Sequence, residues 1–188
     1  MSVVDANISM SVDGFVTGPN IDLNPGLGER GEILHQWVFK EADGARMIKE
    51  TFAESGAVIT SRMVYELTGG WGDDGLYQMP VFVLTHRAHD VVVKGKTSFA
   101  FVTDGIESAV AQAKAAAGDK KVHVMGGASV IRQALAAGLV DELTLHVAPV
   151  LLGAGTRLFE DDSDRIDLEP INVIQTEFAT HLHFRVVR

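Results

Sequence analysis

The sequence predicts an α/β fold, a three-layer sandwich in which helices cover both faces of a mostly parallel central sheet with antiparallel carboxyl-terminal strands. Two observations predict it. Strand-like and helix-like patterns alternate through the first two thirds of the chain, which favours a parallel sheet, and strand-like patterns alone fill the last third, which favours antiparallel pairing. A chain of 188 residues is long enough for one domain with a substantial core. We therefore interpret residues 1–188 as a single domain.

The first half of the chain is predicted to hold three strands with helices between them. The strands are expected over residues 2–10, 57–60 and 81–85, where β-branched and aromatic residues cluster. Apolar residues recur at helical spacing between 31 and 54, and a turn signal at Asp43-Gly44 predicts two helices there or one kinked helix. Residues 61–67 predict a short helix directly after the second strand.

The second half is predicted to contain two further helices and five strands. The helices are expected over 106–116, with Asp104 as the N-cap, and over 128–137. The strands are expected over 98–103, 121–125, 142–152, 168–178 and 180–188. The last three follow one another without a helical pattern, so they predict an antiparallel edge or hairpin.

Composition excludes several functions and kinds of site. The formal net charge of −9 argues against general nucleic-acid binding, because such binding depends on basic side chains. The sequence contains no cysteine, which excludes disulfides, thiolate nucleophiles and cysteine-ligated zinc. Neither a secretory signal nor an apolar stretch of about 18 residues is present. We therefore expect a cytoplasmic protein that does not bind membranes.

The junction "VHVMGGASVIRQAL" (122–135) places two glycines between a strand and a helix. Glycine lacks a Cβ, so Gly126 and Gly127 let another molecule approach the main chain, and the unpaired amides of the following helix attract anions. This pattern predicts a phosphate site. The alternative is that the two glycines only form a tight turn.

Two other predicted strands also end in polar or basic residues, at "ITSRM" (59–63) and "LTHR" (84–87). Ligands of open α/β sheets bind at the carboxyl ends of parallel strands, so these three strand ends together predict a nucleotide site. Arg62 and Arg87 would supply its positive charge. Each arginine taken alone could equally be a surface residue, and neither the P-loop nor the Rossmann glycine motif is present.

These segments resemble the dihydrofolate reductase fold over nearly the whole chain. "SRMVYEL" is similar to the G-R-x-T-[WY]-E segment of that family, "VFVLTHR" to its V-L-S-[RS] segment, and "VMGGASVIRQAL" to its G-G-[GA]-x-[VIL]-[YI] segment. The amino-terminal "ANISMSVDGFVTG" resembles the first strand and the mobile loop over the nicotinamide. "VDELTLHVAPVLLGAGTRLF" (140–159) resembles the branch that includes the reductase domain of bacterial riboflavin biosynthesis.

The resemblance implies that NADPH is the cofactor and that hydride transfer is the reaction. The residues implied around the nicotinamide are Ala6, Ile8, Gly14, Phe15 and Val16. Those implied for the adenosine and its 2′-phosphate are Ser61, Arg62, Met63, Thr85, His86 and Arg87. Those implied for the pyrophosphate are Gly126, Gly127, Ala128, Ser129 and Val130, with a cis bond between the paired glycines.

Two residues depart from the family pattern. Ser61 stands where many members have glycine, and Ser129 stands where dihydrofolate reductases often have arginine. The 2′-phosphate would therefore be held by fewer charges. A charged hydrogen bond contributes about 1.5–3 kcal/mol, so we still expect about ten- to hundredfold preference for NADPH over NADH.

The catalytic residues are not assigned by the sequence, and the candidates are Glu32, His35 and Trp37. An aromatic plane and an imidazole could stack on and protonate a heterocycle, although Trp37 could instead be a core residue and His35 its partly exposed neighbour. Asp13 is expected to orient the first loop. The strand histidines lack metal-ligand spacing, so no metal site is predicted; they are His123, His146, His181 and His183.

The function expected from the resemblance is reduction of a small heterocycle, either a pyrimidine of riboflavin synthesis or a pterin or folate. No carboxylate can be aligned with the one that dihydrofolate reductases carry on their first long helix, which favours the pyrimidine or a relative with another substrate. The alternative is a noncatalytic nucleotide-binding protein that retains the fold. The glycine bends of "LLGAGTRLF" (151–159) allow close approach, so this segment is expected either to shape the substrate pocket or to pack against a second subunit in a homodimer.

Overall fold

A computed structural model describes residues 2–22, 26–160 and 164–187 and confirms the three-layer α/β sandwich. The strands are β1 (Val4–Ser11), β2 (Phe15–Thr17), β3 (Ser55–Ser61), β4 (Pro80–Leu84), β5 (Val92–Lys94), β6 (Thr97–Val102), β7 (Lys121–Gly126), β8 (Glu142–Ala148), β9 (Thr156–Arg157), β10 (Leu168–Gln175) and β11 (Thr180–Val186). The helices are α1 (Gln36–Lys40), α2 (Ala42–Glu54), α3 (Arg62–Leu67), α4 (Ile106–Ala117) and α5 (Ala128–Ala136), with a 3-10 turn at Gly31–His35 before α1. Across the described part of the chain, every helix is too short or too polar to cross a lipid bilayer.

The main sheet has nine strands in the order β10-β11-β8-β1-β7-β3-β4-β6-β5. The six strands from β8 to β6 run parallel, so their carboxyl ends meet at one edge of the sheet. The carboxyl-terminal hairpin of β10 and β11 adds antiparallel strands beside β8, as the sequence predicts. The opposite edge is antiparallel too, because β5 pairs with β6 in that sense. That strand was missed because three residues are too few for a periodic pattern.

Helices cover the two faces of the sheet with separate apolar clusters. Helices α4 and α5 pack on the first face, which carries residues such as Val4, Ala6 and Ile59. Helices α2 and α3 pack on the second face, where Val58 and Val83 contact aromatic side chains. Successive strand residues point to opposite faces, so the neighbours Val58 and Ile59 belong to different clusters.

The second face becomes polar over β1, β7, β8 and β11, and we call this region the polar sheet face. The strand registers place nine side chains there: Asp5, Asn7, Ser9, His123, Glu142, Thr144, His146, His181 and His183. The interpretation of the four histidines as sheet-face residues therefore agrees with the structure. Three of them, His123, His146 and His181, are buried.

The sequence-based expectation of two helices with a break near Asp43-Gly44 is confirmed, although the break lies slightly earlier, and the expected N-cap of α4 is wrong. The break between α1 and α2 lies at Glu41, which has an extended backbone and accepts a 2.7 Å hydrogen bond from the Phe178 amide, and Asp43-Gly44 lies within α2. A Cβ at Gly44 would overlap the Trp37 carbonyl oxygen, so this glycine allows α2 to pack against α1. The N-cap of α4 is Gly105 and not Asp104.

Candidate functional site

Strands β3, β4 and β6 end at one cleft of about 480 Å³, and α5 begins there. Its volume falls within the range of about 300–1,000 Å³ that is usual for small-molecule sites. The lining residues are Ser61, Arg62, Met63, Leu84, Thr85, His86, Arg87, Thr103, Gly105, Ser129, Val130 and Gln133. The structure thus brings together eight of the residues implied for the adenosine and pyrophosphate.

The paired glycines form the bend between β7 and α5. The Gly126–Gly127 peptide bond is cis, as the resemblance implies, and Gly126 has a φ of +114°. The amides of Val130 and Ile131 donate to the Gly127 carbonyl over 3.1 and 3.3 Å, which closes the first turn of the helix. The first amides of a helix have no partner within it, so those of Ala128 and Ser129 can donate to an anion in the cleft.

Ser61 joins two of the strand ends. Its hydroxyl oxygen caps α3 by accepting from the Val64 amide over 3.2 Å, and it lies 3.4 Å from the Gly127 amide, which donates to it. Glycine at this position could make neither hydrogen bond. The departure from the family pattern therefore adds a polar link between β3 and the bend after β7.

The two arginines of the cleft differ in their surroundings, because one forms an ion pair and the other is exposed to solvent. Arg62 forms an ion pair with Glu66, four residues later on α3, at 2.6 Å. Arg87 is exposed, and its backbone amide donates to the Thr85 hydroxyl over 3.1 Å. A partly exposed ion pair contributes about 0–1 kcal/mol, so a phosphate can displace Glu66 from Arg62 at small cost.

The first loop, residues 12–17, is attached to the segment 151–157. The Asp13 carboxylate accepts from the Ser11 hydroxyl at 2.6 Å and from the amides of Leu152 and Gly153 at 3.1 and 2.7 Å. These hydrogen bonds, that of Ser11 foremost, lower the pKa of Asp13 to about 2. Strand β2 also pairs with β9. The structure therefore agrees with the expectation that Asp13 orients this loop.

We expect Asp13→Asn to remove a pH-dependent part of the stability. A carboxyl whose folded-state pKa is depressed stabilises the fold above its unfolded pKa of about 3.9 and loses that contribution as the pH falls through the folded value. The variant should be less stable than the parent at neutral pH, and the two should converge as the pH falls from about 4 to about 2. Urea unfolding at several pH values measures this.

The exposed Asp119→Asn variant is the control for the loss of one negative charge. It should follow the parent curve throughout. A constant difference between Asp13→Asn and the parent from neutral pH to about 2 would contradict the role assigned to the carboxylate.

The residues implied around the nicotinamide lie along β1 and β2, beside the cleft. Ile8 connects the two regions, because a Cβ built on Gly126 would lie 3.3 Å from Ile8 Cδ1. The side chains of Ala6, Phe15 and Val16 are buried, so a ligand can reach Ala6 only through its backbone. The Arg157 guanidinium lies over the Phe15 ring, 4.6 Å from its centre.

Trp37 is enclosed by the protein, with 2% of its surface exposed. Its Nε1 donates to the Ser9 hydroxyl over 2.9 Å, and its ring stacks on His146 with 4.0 Å between the ring centres. This geometry favours the core interpretation of Trp37 over stacking on a substrate.

Glu32 and His35 lie on the 3-10 turn, which packs against β1, β2 and β8. Glu32 is exposed, whereas His35 is half-buried and burial lowers its pKa, so the imidazole is neutral at pH 7. The role of either residue as a proton donor stays a prediction.

Four residues of the cleft were not predicted: Leu84, Thr103, Gly105 and Gln133. The rule that identified the other strand ends applies equally to Thr103, which follows the last residue of β6. Gln133 lies four residues after Ser129 on α5, hence on the same side of the helix. The signal was present in both cases, but each residue type alone is common on surfaces.

A larger cavity, of about 580 Å³, lies between α5 and the carboxyl-terminal strands. Apolar side chains such as Leu143, Phe159 and Ile166 line much of it, together with the charged Arg132 and Glu160. The carboxyl ends of β3, β4 and β6 do not open into it. Eight of the residues implied for the cofactor line the smaller cleft, and none of those eight lines this cavity.

Comparison with known proteins gives matches over most of the chain. A family model described as the RibD C-terminal domain matches residues 2–182. The uncharacterized protein YyaP of Bacillus subtilis (strain 168) is 26% identical over 174 residues, which cover 88% of this chain and 85% of YyaP.

Two solved structures share the fold. A putative riboflavin biosynthesis protein from Shewanella sp. PV-4 is 18% identical with a TM-score of 0.77, and all of both chains is covered. A diaminohydroxyphosphoribosylaminopyrimidine deaminase/5-amino-6-(5-phosphoribosylamino)uracil reductase from Thermotoga maritima is 14% identical with a TM-score of 0.64, with 99% of this chain and 57% of that chain covered.

Proposed function

This chain belongs to the RibD C-terminal domain family, and from that premise we propose that it is an NADPH-dependent reductase of a small heterocyclic substrate. The observation that carries the proposal is the convergence of three parallel strand ends, the first turn of α5 and two guanidinium groups on one cleft. The protein has a net charge of −9, so these groups form a local site for an anionic nucleotide within an acidic molecule.

The glycine bend beside the cleft supports the proposal of a dinucleotide. The bend at Gly126–Gly127 lies between Ile8 and α3, where a side chain on either glycine would enter the space between these elements. The amides at the start of α5 would hold the pyrophosphate, and Arg62 and Arg87 would hold the 2′-phosphate. The nicotinamide would then extend toward β1 and the first loop.

Bound NADPH would supply the hydride, and the protein would orient the acceptor and deliver a proton. A positioned acid or water serves that second role in reductions of C=N and C=O groups. His35 is neutral at pH 7, because burial lowers its pKa. The neutral His35 ring must first take up a proton from solvent before it can donate one to the substrate, whereas the exposed Glu32 would act by orienting a water molecule that donates the proton.

We favour a pyrimidine carrying a phosphoribosylamino group as the substrate. The Thermotoga maritima protein that shares this fold is a reductase of such a compound by its name. A folate or pterin fits less well, because Glu32 on the 3-10 turn is exposed. Dihydrofolate reductases, by contrast, use a buried carboxylate in the corresponding region.

The cofactor preference tests the proposal directly. We expect NADPH to bind about ten to a hundred times more tightly than NADH. Arg87→Ser should weaken NADPH binding by about tenfold or more and leave the affinity for NADH unchanged. Isothermal titration of each cofactor measures both. The control is Arg46→Ser on α2, whose guanidinium pairs with Asp43 and Glu50 away from the cleft. Equal dissociation constants for NADPH and NADH would contradict the proposal.

A turnover screen separates catalysis from binding. Loss of the reduced-nicotinamide absorbance would be followed with dihydrofolate, a pterin and 5-amino-6-(5-phosphoribosylamino)uracil. Oxidation with the pyrimidine alone supports the favoured substrate. Tight NADPH binding without oxidation by any of the three would instead identify a noncatalytic nucleotide-binding protein.

A further inference from the structure

A second polar cavity lies on the other side of the molecule from the nucleotide cleft. It has a volume of about 360 Å³ and separates α2 from the polar sheet face. Asp5 forms part of its wall near the amino end of β1, six residues before the end of that strand at Ser11. A strand rises about 3.3 Å per residue, so Asp5 is about 20 Å from the edge of the sheet that holds the cleft.

Three side chains at this end of the polar sheet face lie close together. Asp5, Glu142 and His183 each offer one ligand atom, and these atoms all lie within 4.8 Å of one another. The Glu142 Oε2 and His183 Nε2 atoms are 3.2 Å apart. Two ligands of a tetrahedral zinc ion, each about 2.0–2.1 Å from the metal, are separated by about 3.4 Å. This pair therefore already has the required spacing.

A fourth side chain points independently to a missing partner. His123 is buried, with 8% of its side chain exposed, and its Nδ1 has no hydrogen-bond partner within the described residues. That nitrogen faces the Asp5 carboxylate, whose Oδ2 lies 4.0 Å away. The gap is too long for a hydrogen bond, so among the described residues this buried nitrogen is left unsatisfied on the side that faces Asp5.

Asp5 is itself buried in the sheet. Its carboxylate accepts a 3.2 Å hydrogen bond from the Thr144 hydroxyl. A carboxylate buried to this degree is normally paired with a cation or a metal ion.

We propose that Asp5, Glu142 and His183 bind a divalent first-row transition metal ion, beside the buried His123 ring. Two carboxylates and an imidazole suit zinc and its neighbours, whereas magnesium and calcium prefer oxygen ligands alone. The three ligands lie on β1, β8 and β11, so the ion would join three strands of the sheet. The site revises the sequence-based expectation of no metal. It is independent of the proposed reductase activity.

Lys121 is the charge that competes with such an ion. Its Nζ lies 3.3 Å from Glu142 Oε2 and 3.1 Å from Glu54 Oε2. A metal ion bound to Glu142 would leave Lys121 paired with Glu54 alone. Lys121→Met should therefore tighten metal binding, an effect opposite in sign to the loss of a ligand.

Zinc binding by the whole protein tests the proposal. After treatment with a chelator and its removal, calorimetric titration with zinc chloride should show one ion per chain and a raised melting temperature. Loss of a residue that only orients a metal ligand weakens metal binding about 10- to 100-fold. Glu142→Gln and His183→Gln each remove a ligand, so each should weaken zinc binding by at least that factor. The matched control is His89→Gln, which removes an exposed histidine outside the cavity and should bind zinc as the parent does.

Glu142 and His183 are only partly buried, so these variants test binding with the least disturbance of the core. Melting curves without zinc establish that each variant is folded. The proposal is overturned if the parent does not bind zinc, if Glu142→Gln and His183→Gln bind as His89→Gln does, or if Lys121→Met weakens binding.

Discussion

Gly155→Ala is expected to displace the first loop and to reduce cofactor-dependent turnover by about a hundredfold. Gly155 has a φ of +133°, and a Cβ at this position would overlap the carbonyl oxygen of Thr17. The backbone of β2 or of the 151–157 segment must therefore shift. A displacement of about 1 Å in a substrate-positioning element can cost about a hundredfold in rate. The loop carries Gly14, Phe15 and Val16, which the proposed function places beside the nicotinamide.

Gly153→Ala is the matched control, because Gly153 also has a positive φ, of +74°, but no neighbouring atom of the described residues lies within 4 Å of its added Cβ. Gly153→Ala should lower the free energy of unfolding only by the about 1–2 kcal/mol that a side chain costs in a left-handed backbone conformation. Hydrogen exchange of the Leu158 amide, which donates to the Gly14 carbonyl over 2.9 Å, reports the loop directly and does not depend on activity. Unchanged exchange in Gly155→Ala would show that the loop tolerates the substitution and would defeat the prediction.

Trp37→Ala is expected to lower the free energy of unfolding by about 3–5 kcal/mol, the range for removing a buried large aromatic side chain. The substitution opens a cavity, deletes the stacking on His146 and leaves the Ser9 hydroxyl without its indole donor. Trp37→Phe keeps most of the ring volume and should cost less, with about 1 kcal/mol of the loss arising from the hydrogen bond. Urea unfolding at neutral pH measures both.

Phe39→Ala, two residues further along α1, provides the comparison. Phe39 is 82% exposed, so its truncation should change the free energy of unfolding by no more than about 0.5 kcal/mol. If Trp37→Ala were as mild as Phe39→Ala, the second face of the sheet would not depend on this side chain, and Trp37 would again be a candidate for substrate contact.

The nucleotide cleft was largely predictable from the sequence, because each of its parts is local. Arg62 and Thr85 directly follow β3 and β4, Ser129 lies three residues after the end of β7, and the topology of a parallel sheet brings such positions to one edge. The pairing of Arg62 with Glu66 could also be expected from their spacing of four residues on a helix. Ser61 is different, since its contact with Gly127 joins residues 66 positions apart and has no local signature.

By itself the sequence determined the alternation of strands and helices, the parallel sheet with its antiparallel hairpin, and the strand ends that carry polar residues. These properties depend on periodicity over a few neighbouring residues, which any single strand or helix displays. Only the tertiary structure decided that Asp13 holds the segment around Gly153, that Trp37 is enclosed, and that Asp5 meets His123, Glu142 and His183. Those contacts depend on the order and register of the strands, which are set by packing across the whole sheet and leave no periodic signal in the chain.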